Sequence, residues 1–448
     1  MKKLTLRVIC VLFALTLLLS ASVCGVSAVS YANDLDIKSK SVLLVSMDTG
    51  QTVFERNADE KMYPASTTKI MTYIIAYENI PNIEEARIEI KKPIIDKLRN
   101  TGSSMAFLSD HVGEKVSGKD LLYSLMVPSG NDAAMVLADY VGNGDVKVFV
   151  DKMNAKAKEL GCQNTHFANP DGLHNKDHYT TARDLLIITE YALTLPNFET
   201  ISNTDRYKCE GDDTSLVTTN GLIDSNSEYY YTYAKGIKTG TTDEAGRCLV
   251  TTASADGQSY ILILLGAPYK EGVQEDYFTF TDAANLFRWC LVQLKLEPIT
   301  SRETPMCEAA LKYVMNKETI QLYPEHDVRA VVPEAMNEGN LEFEYDLPEY
   351  LEAPLKKGET VGTASVYYKD PKTGEKQLLQ TVNLVTGESV DRSIAKTVWD
   401  VFHTILKSYW FPILIGVIVL VVVIYLIAAS IHRKRKRKRR DVKHYRNF

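Results

Sequence analysis

Cysteine is scarce in this chain: seven residues among 448. Two of them, Cys10 and Cys24, fall in an apolar leader, which leaves Cys162, Cys209, Cys248, Cys290 and Cys307. Five widely spaced thiols do not make a disulfide framework, although one incidental bridge is compatible with them. No C-x-x-C pair occurs, so zinc is not suggested. Histidine is also sparse, at eight residues. His174 and His178 stand four apart in a polar loop without a third ligand, so a structural or solvated role is expected for them rather than metal ligation. The stretch from Asp171 to Asp177 resembles a calcium loop but lacks the closing glutamate. No metal and no cofactor are expected. Internal repeats are absent, and the only low-complexity stretch is a basic run near the C-terminus, which excludes repeat architectures. The composition is otherwise ordinary for a folded protein, and the length leaves room for two or three globular units.

What is present begins at the two ends. Lys2, Lys3 and Arg7 precede an apolar run from about Val8 to Val23, followed by small residues at Val26-Ser27-Ala28 and Ser30-Tyr31-Ala32. That order of basic, apolar and small residues reads as a secretory signal peptide over 1–32, with an uncleaved anchor as the alternative. From Ser408 to Ile431 no charged residue occurs, and Tyr409, Trp410 and Phe411 open the stretch. The run is long enough to cross a bilayer as a helix over 409–431, with aromatic rings at the headgroup level. Eight cations from Arg433 to Arg440 follow at once, and a buried core helix would not explain them. A basic flank is retained on the cytoplasmic side, so 432–448 is expected to be a cytoplasmic tail on a single-pass membrane protein whose main body is extracellular. The tail carries +9 and the leader +3, against a formal total of −6, which leaves about −18 for the rest. An acidic ectodomain on a basic stub is a poor nucleic-acid binder.

Between the ends the hydrophobic period changes twice. Ser41–Val45 and Thr52–Glu55, with a turn at Asp48-Thr49-Gly50, read as a hairpin. Helical spacing then runs over Ser66–Asn79, Gly118–Val141, Asp145–Leu160 and Thr181–Leu193. Strands return at Lys235–Thr239, Arg247–Ala253 and Tyr260–Leu265, and a helix at Tyr277–Val292. A sheet built from both ends of the segment with a helical block between them predicts an α/β (α+β) domain over 33–295. Short β-rich runs separated by turns, from Ile320–Leu322 to Leu378–Leu384, predict a small all-β domain over 298–390. Residues 391–408 are a juxtamembrane linker, and Ser393–Lys407 has an amphipathic helical pattern.

Three short motifs in order carry the chemistry: Ser66-Thr67-Thr68-Lys69, Ser129-Gly130-Asn131 and Lys238-Thr239-Gly240. They match the S-x-x-K, S-D-N and K-T-G set of serine penicillin-interacting enzymes, with Gly130 where the middle motif usually has Asp. Ser66 and Lys69 share a helix face. A serine hydroxyl needs an adjacent base, and Lys69 can serve only when neutral, which burial and a neighbouring cation such as Lys238 favour. Ser129 can relay a proton to a leaving amine, and Asn131 can hold a substrate amide and orient Lys69. Lys238 and Thr239 offer a charge and a hydroxyl to a substrate carboxylate, while Gly240 lets a substrate backbone approach the strand edge. Each motif alone is weak. A second S-x-x-K occurs at Ser393–Lys396 and a second K-T-G at Lys372–Gly374, but neither lies beside an apolar element.

From Ser41 to Val390 the chain resembles the low-molecular-mass penicillin-binding proteins, the serine-type D-alanyl-D-alanine carboxypeptidases. The resemblance rests on the three motifs, on Tyr63–Thr72, on Asn169-Pro170-Asp171-Gly172-Leu173-His174 with Tyr179–Asp184, and on Gly236–Thr242 followed by Ala245-Gly246. It implies a central antiparallel sheet flanked by helices and a β-rich membrane-proximal domain. It also implies an oxyanion hole made by the backbone N–H groups of Ser66 and Thr241, peptidoglycan stem peptides as substrate, and acylation by β-lactams. The chain departs from the family where Thr219 stands in place of a basic residue, and where Pro268–Gln274 offers only Lys270 instead of an arginine. Carboxylate recognition then falls to Thr239, Thr241 and Arg247. Three rival readings share this site or lack its chemistry. An endopeptidase acting on cross-links would use the same residues. A β-lactamase would need a further carboxylate to activate water, and no Glu-x-x-Leu-Asn stretch occurs between Asn131 and Lys238. A catalytically silent wall-binding sensor would not need the intact set of Ser66, Lys69, Ser129 and Lys238.

Overall fold

The computed structural model describes residues 35–99, 103–211, 213–269, 277–371, 374–408 and 410–444. The expected leader, Lys270, Lys372, Thr373 and Tyr409 lie outside the described residues. The described residues form two compact units: one holds 35–299 together with 329–343 and 365–380, the other holds 300–328, 344–364 and 381–444.

In the first unit five strands make one antiparallel sheet, in the order 52–56, 41–46, 258–267, 246–255, 234–242. The two ends of the segment therefore meet in one sheet, as the sequence pattern requires. The central strand Gln258–Ala267 is buried along nearly its whole length, because helices cover both of its faces. The strand Ala234–Thr242 lies at an edge, with Thr241 opposite Arg247 and Gly240 opposite Cys248.

The helical block departs from its sequence reading in two places that matter for the site. Helical spacing placed Ser66 in the first turn of one helix. Instead Ala65–Thr68 forms a 3₁₀ turn, and the α-helix runs over Lys69–Asn79. Its first eight residues are all buried, so it is a core helix rather than an amphipathic one. The second departure is at Gly118–Val141, where two helices form, Gly118–Met126 and Asn131–Val141. Pro128 has no amide to donate, and Ser129 sits at a φ of 63°, which ends the first helix and turns the chain. Ser117 caps the first of these helices through Asp120 N, and Thr181 caps Ala182–Leu193 through Asp184 N.

The β-rich region forms a six-stranded sheet in the order 341–346, 360–369, 376–386, 319–324, 307–312, 351–352. Cys307–Lys312, which carried no strand signal, pairs with Thr319–Pro324 with Ala309 opposite Ile320. Its alanines and charges have low strand propensity, so pairing rather than composition makes it a strand. Leu294–Thr300 is likewise a strand, paired with Val328–Pro333.

At the C-terminus, Ile394–Lys407 is a helix, and Trp410–His444 is a second one. Ser393 caps the former by accepting from Lys396 N at 3.3 Å, so the second S-x-x-K is a helix start. Within the latter, Trp410–Arg435 is long and apolar enough to cross a membrane, and none of it is buried by the rest of the chain. One C-terminal apolar helix of this kind fits a single-pass anchor.

Candidate active site

The site is assembled where the 3₁₀ turn, the break at 127–130 and the edge strand meet. Ser66, Ser129, Thr239, Gly240, Thr241 and Arg247 line one cleft of about 360 Å³. All three motifs thus contribute to one space, although 172 positions separate Ser66 from Lys238.

Lys69 is the centre of the polar network. Its side chain is fully buried, at 0 % exposure. Its Nζ donates to Asn131 Oδ1 at 2.6 Å and to the Asp171 carbonyl at 2.7 Å, and stands 3.0 Å from Ser66 Oγ. Burial holds the Lys69 ammonium down to about 8, against the opposing pull of the Asp171 and Asp132 carboxylates. Lys238 is also buried, at 1 % exposure, and its Nζ donates to the Thr239 carbonyl at 3.0 Å. Burial, and then the charge of Lys69, push its ammonium well below the usual lysine range. Arg247 lines the cleft, with its guanidinium 3.7 Å from the Tyr277 ring centroid.

Two glycines are fixed by the chain itself. A Cβ on Gly240 would lie 2.8 Å from Ser66 N and 3.0 Å from the Pro64 carbonyl oxygen. The glycine expected to admit a substrate backbone is thus already required by the nucleophile turn. A Cβ on Gly130 would lie 2.6 Å from Asp132 Oδ1 and 2.8 Å from the Ser124 carbonyl, which accounts for glycine at the middle motif position. Asp132 in turn accepts from the amides of Ala106, Leu108 and Ala133, tying the 103–108 segment to the second helix of the block.

Several site residues gave no sequence signal of their own. The Asp171 carbonyl is a backbone acceptor, invisible in residue identity, and its loop is set by Asn169, which accepts from Gly172 N and donates to the Leu173 carbonyl, each at 2.8 Å. Ser104 lines the cleft and offers its carbonyl to Asn131 N at 2.8 Å. Thr219, noted only as a departure from the family, shares a hydroxyl–hydroxyl bond with Thr239. Cys248 also lines the cleft, and burial pushes its thiol up to about 12, which favours the protonated form.

Comparison with known proteins places the chain in a family and a fold. The family profile for D-alanyl-D-alanine carboxypeptidase matches residues 27–269, and that for the C-terminal domain of penicillin-binding protein 5 matches 299–392. The D-alanyl-D-alanine carboxypeptidase DacF of Bacillus subtilis is 30% identical over 342 residues, 74% of this chain and 82% of its own length. A crystal structure of penicillin binding protein 5 from Haemophilus influenzae superposes with a TM-score of 0.65 at 24% identity, covering 81% of this chain and 100% of that one, which shows the shared fold. A mutant of the Streptomyces K15 DD-transpeptidase superposes with a TM-score of 0.51 at 34% identity, over 57% of this chain and 98% of that one. The chain belongs to the serine-type D-alanyl-D-alanine carboxypeptidases, low-molecular-mass penicillin-binding proteins of mixed α/β fold with a C-terminal β domain. Binding of peptidoglycan and of β-lactams fits that family.

Proposed function

We propose that this carboxypeptidase removes the terminal D-alanine of peptidoglycan stem peptides through an ester on Ser66, with Lys69 as general base. The observation that carries the reading is the geometry at Lys69 Nζ. The Asn131 and Asp171 oxygens take two of its three positions, and the third faces Ser66 Oγ at 3.0 Å. In the neutral amine that third position is the lone pair. It accepts the Ser66 hydroxyl proton as Oγ attacks the carbonyl carbon of the penultimate D-alanine. The developing oxyanion lies between the N–H groups of Ser66 and Thr241, which the close approach of Gly240 to Ser66 N brings together. Ser129 relays to the leaving D-alanine nitrogen the proton that Lys69 took from Ser66, and water later cleaves the ester, giving one proton to the again neutral Lys69, which returns it to Ser66 Oγ. The edge strand supports an extended peptide beside it, with Thr239, Thr241 and Arg247 at its carboxylate end and Lys238 as their buried support.

Three substrates offered in parallel test the reading: a stem pentapeptide, a cross-linked muropeptide and a penicillin. Release of D-alanine from the pentapeptide, with slow hydrolysis of the penicilloyl adduct, is the expected result. Cleavage of the cross-link alone would make the enzyme an endopeptidase, and rapid penicillin turnover would make it a β-lactamase.

The division into a catalytic domain at 33–295, a β-rich domain at 298–390, a linker, a span at 409–431 and a cytoplasmic tail belongs to the same proposal. It is supported by the apolar, unburied helix at Trp410–Arg435 and by the cations that follow. Protease added outside intact cells is expected to release the part before Ser408 while residues 433–440 stay protected. A chain ending at Arg392 is expected to be soluble and still acylated. A tail accessible from outside would overturn the topology.

A further inference from the structure

His178 belongs to none of the three motifs, yet it is buried at 2 % exposure directly behind the nucleophile turn. The amide of Ala168 donates to its Nδ1 at 3.2 Å, so Nδ1 is the acceptor nitrogen and the ring proton sits on Nε2. Nε2 is 2.8 Å from Thr68 Oγ1 and donates to it. That leaves the Thr68 hydroxyl proton for the Ala65 carbonyl, 2.7 Å away. Burial holds the imidazolium down to about 4, with His166 and His174 adding to the effect, so the neutral tautomer persists across the neutral range.

The Ala65 carbonyl is the other half of the peptide unit that carries Ser66 N–H. The two groups lie in one plane and point in opposite directions, so fixing the carbonyl fixes the aim of the N–H. Ala65 has a φ of 47°, a left-handed conformation that a residue with a Cβ holds only where its surroundings impose it. Two groups impose it here. The Thr68 hydroxyl bonds the carbonyl, and Gly172 packs so closely that a Cβ there would lie 2.0 Å from the same oxygen.

We propose that His178 is a positioning residue for the oxyanion hole, acting through Thr68 on the Ala65–Ser66 peptide. The inference rests on the reading of Ser66 as the acylated nucleophile and Ser66 N–H as an oxyanion donor. It separates His178 from His174, its neighbour four residues earlier, which stacks edge-on to Tyr63 at 4.7 Å and does not touch the turn's hydrogen bonds.

A pair of acyl-D-alanyl esters tests it, one with an ordinary carbonyl at the reacting carbon and one with a thiocarbonyl, whose sulfur accepts poorly from backbone N–H groups. His178→Phe is expected to slow acylation by the oxygen ester about 10- to 100-fold, less than outright loss of an oxyanion donor, with KM nearly unchanged. The thionoester should lose about threefold or less. His178→Gln, whose amide nitrogen can still donate to Thr68, should recover most of the rate. Thr68→Val should reproduce the His178→Phe defect, and the double variant should be no slower than the slower single one. Equal loss on both esters, a change confined to KM, or additive single effects would overturn the inference. If His178→Phe shows no folding transition on heating, Thr68→Val with the same two esters decides. Mapping the wild-type adduct separates the two levels. An adduct away from Ser66 overturns the nucleophile reading, whereas an adduct on Ser66 with equal ester losses overturns the His178 inference alone.

Discussion

Ser66→Ala is expected to abolish covalent labelling by a penicillin and to lower D-alanine release by about 10⁴-fold or more, the loss typical when the nucleophile of a coupled set is removed. The fold should survive. Ser66 Oγ faces Lys69 Nζ at 3.0 Å and the Asp171 carbonyl only at 3.5 Å, and both of those groups keep their other partner in the variant. Deleting one partly exposed hydroxyl costs about 1 kcal/mol or less. The melting temperature should therefore move by a few degrees at most while labelling disappears. Peptide mapping of the wild-type adduct is the stricter test, because two other serines occupy motif-like positions. Ser129 lines the same cleft, and Ser393 begins the second S-x-x-K. An adduct on either would sink the assignment. Ser393 is already engaged as a helix cap, and no buried lysine stands behind it, since Lys396 instead pairs with Asp400 at 3.0 Å on an exposed face.

The difference between those two S-x-x-K segments shows what was legible in the sequence. The one at Ser66 follows Pro64 and runs into Ile70-Met71-Thr72-Tyr73-Ile74, an apolar stretch long enough to bury a lysine. Spacing plus context was therefore enough to single out Ser66 and Lys69 as a candidate pair, and the order of the other two motifs pointed to Ser129 and Thr239, which line the same cleft as Ser66. The alternation of periods likewise revealed the sheet made from both ends of the first unit. The groups between the motifs were hidden. Lys69 is held by the carbonyl of Asp171, and a carbonyl has no residue type; only the turn-forming run Asn169-Pro170-Asp171-Gly172 hinted at a structured loop. Helical spacing could not place the break at Ser129, because the flanking residues keep the helical period on both sides and Pro128 alone marks the interruption. Residue type gave Lys238 and Gly240 roles toward substrate. Their surroundings also give them neighbours within the chain, the Thr239 carbonyl for one and the Ser66 amide for the other.

Lys69→Met is expected to slow acylation by about 10³- to 10⁵-fold, because nucleophile and base act as one unit and losing either disables the pair. Methionine nearly matches the lysine stem in volume, so the packing of a residue with no exposed surface is kept while the amine is lost. Alanine at the same place would add a cavity beside the Asn131 and Asp171 acceptors and confuse a packing defect with a chemical one. The pH dependence supplies the sharper criterion. Lys69 is depressed to about 8 in the folded protein, so the competent neutral amine is the minor form below that pH and the major form above it. Acylation by the wild type should rise about tenfold per pH unit below pH 8 and level off above it, and only about one molecule in a hundred is competent at pH 6. The same burial that depresses Lys69 also depresses Lys238, whose loss of charge would act on substrate binding rather than on proton removal. Measuring the acylation rate at saturating penicillin, apart from its binding constant, separates the two lysines. In Lys69→Met the rising limb should vanish and leave a slow, nearly flat profile. A wild-type rate that is flat from pH 6 to 9, or a variant that keeps both the limb and the rate, would remove Lys69 from the chemistry and leave its bonds to Asn131 and Asp171 as a purely structural link between the 3₁₀ turn and the loop behind it.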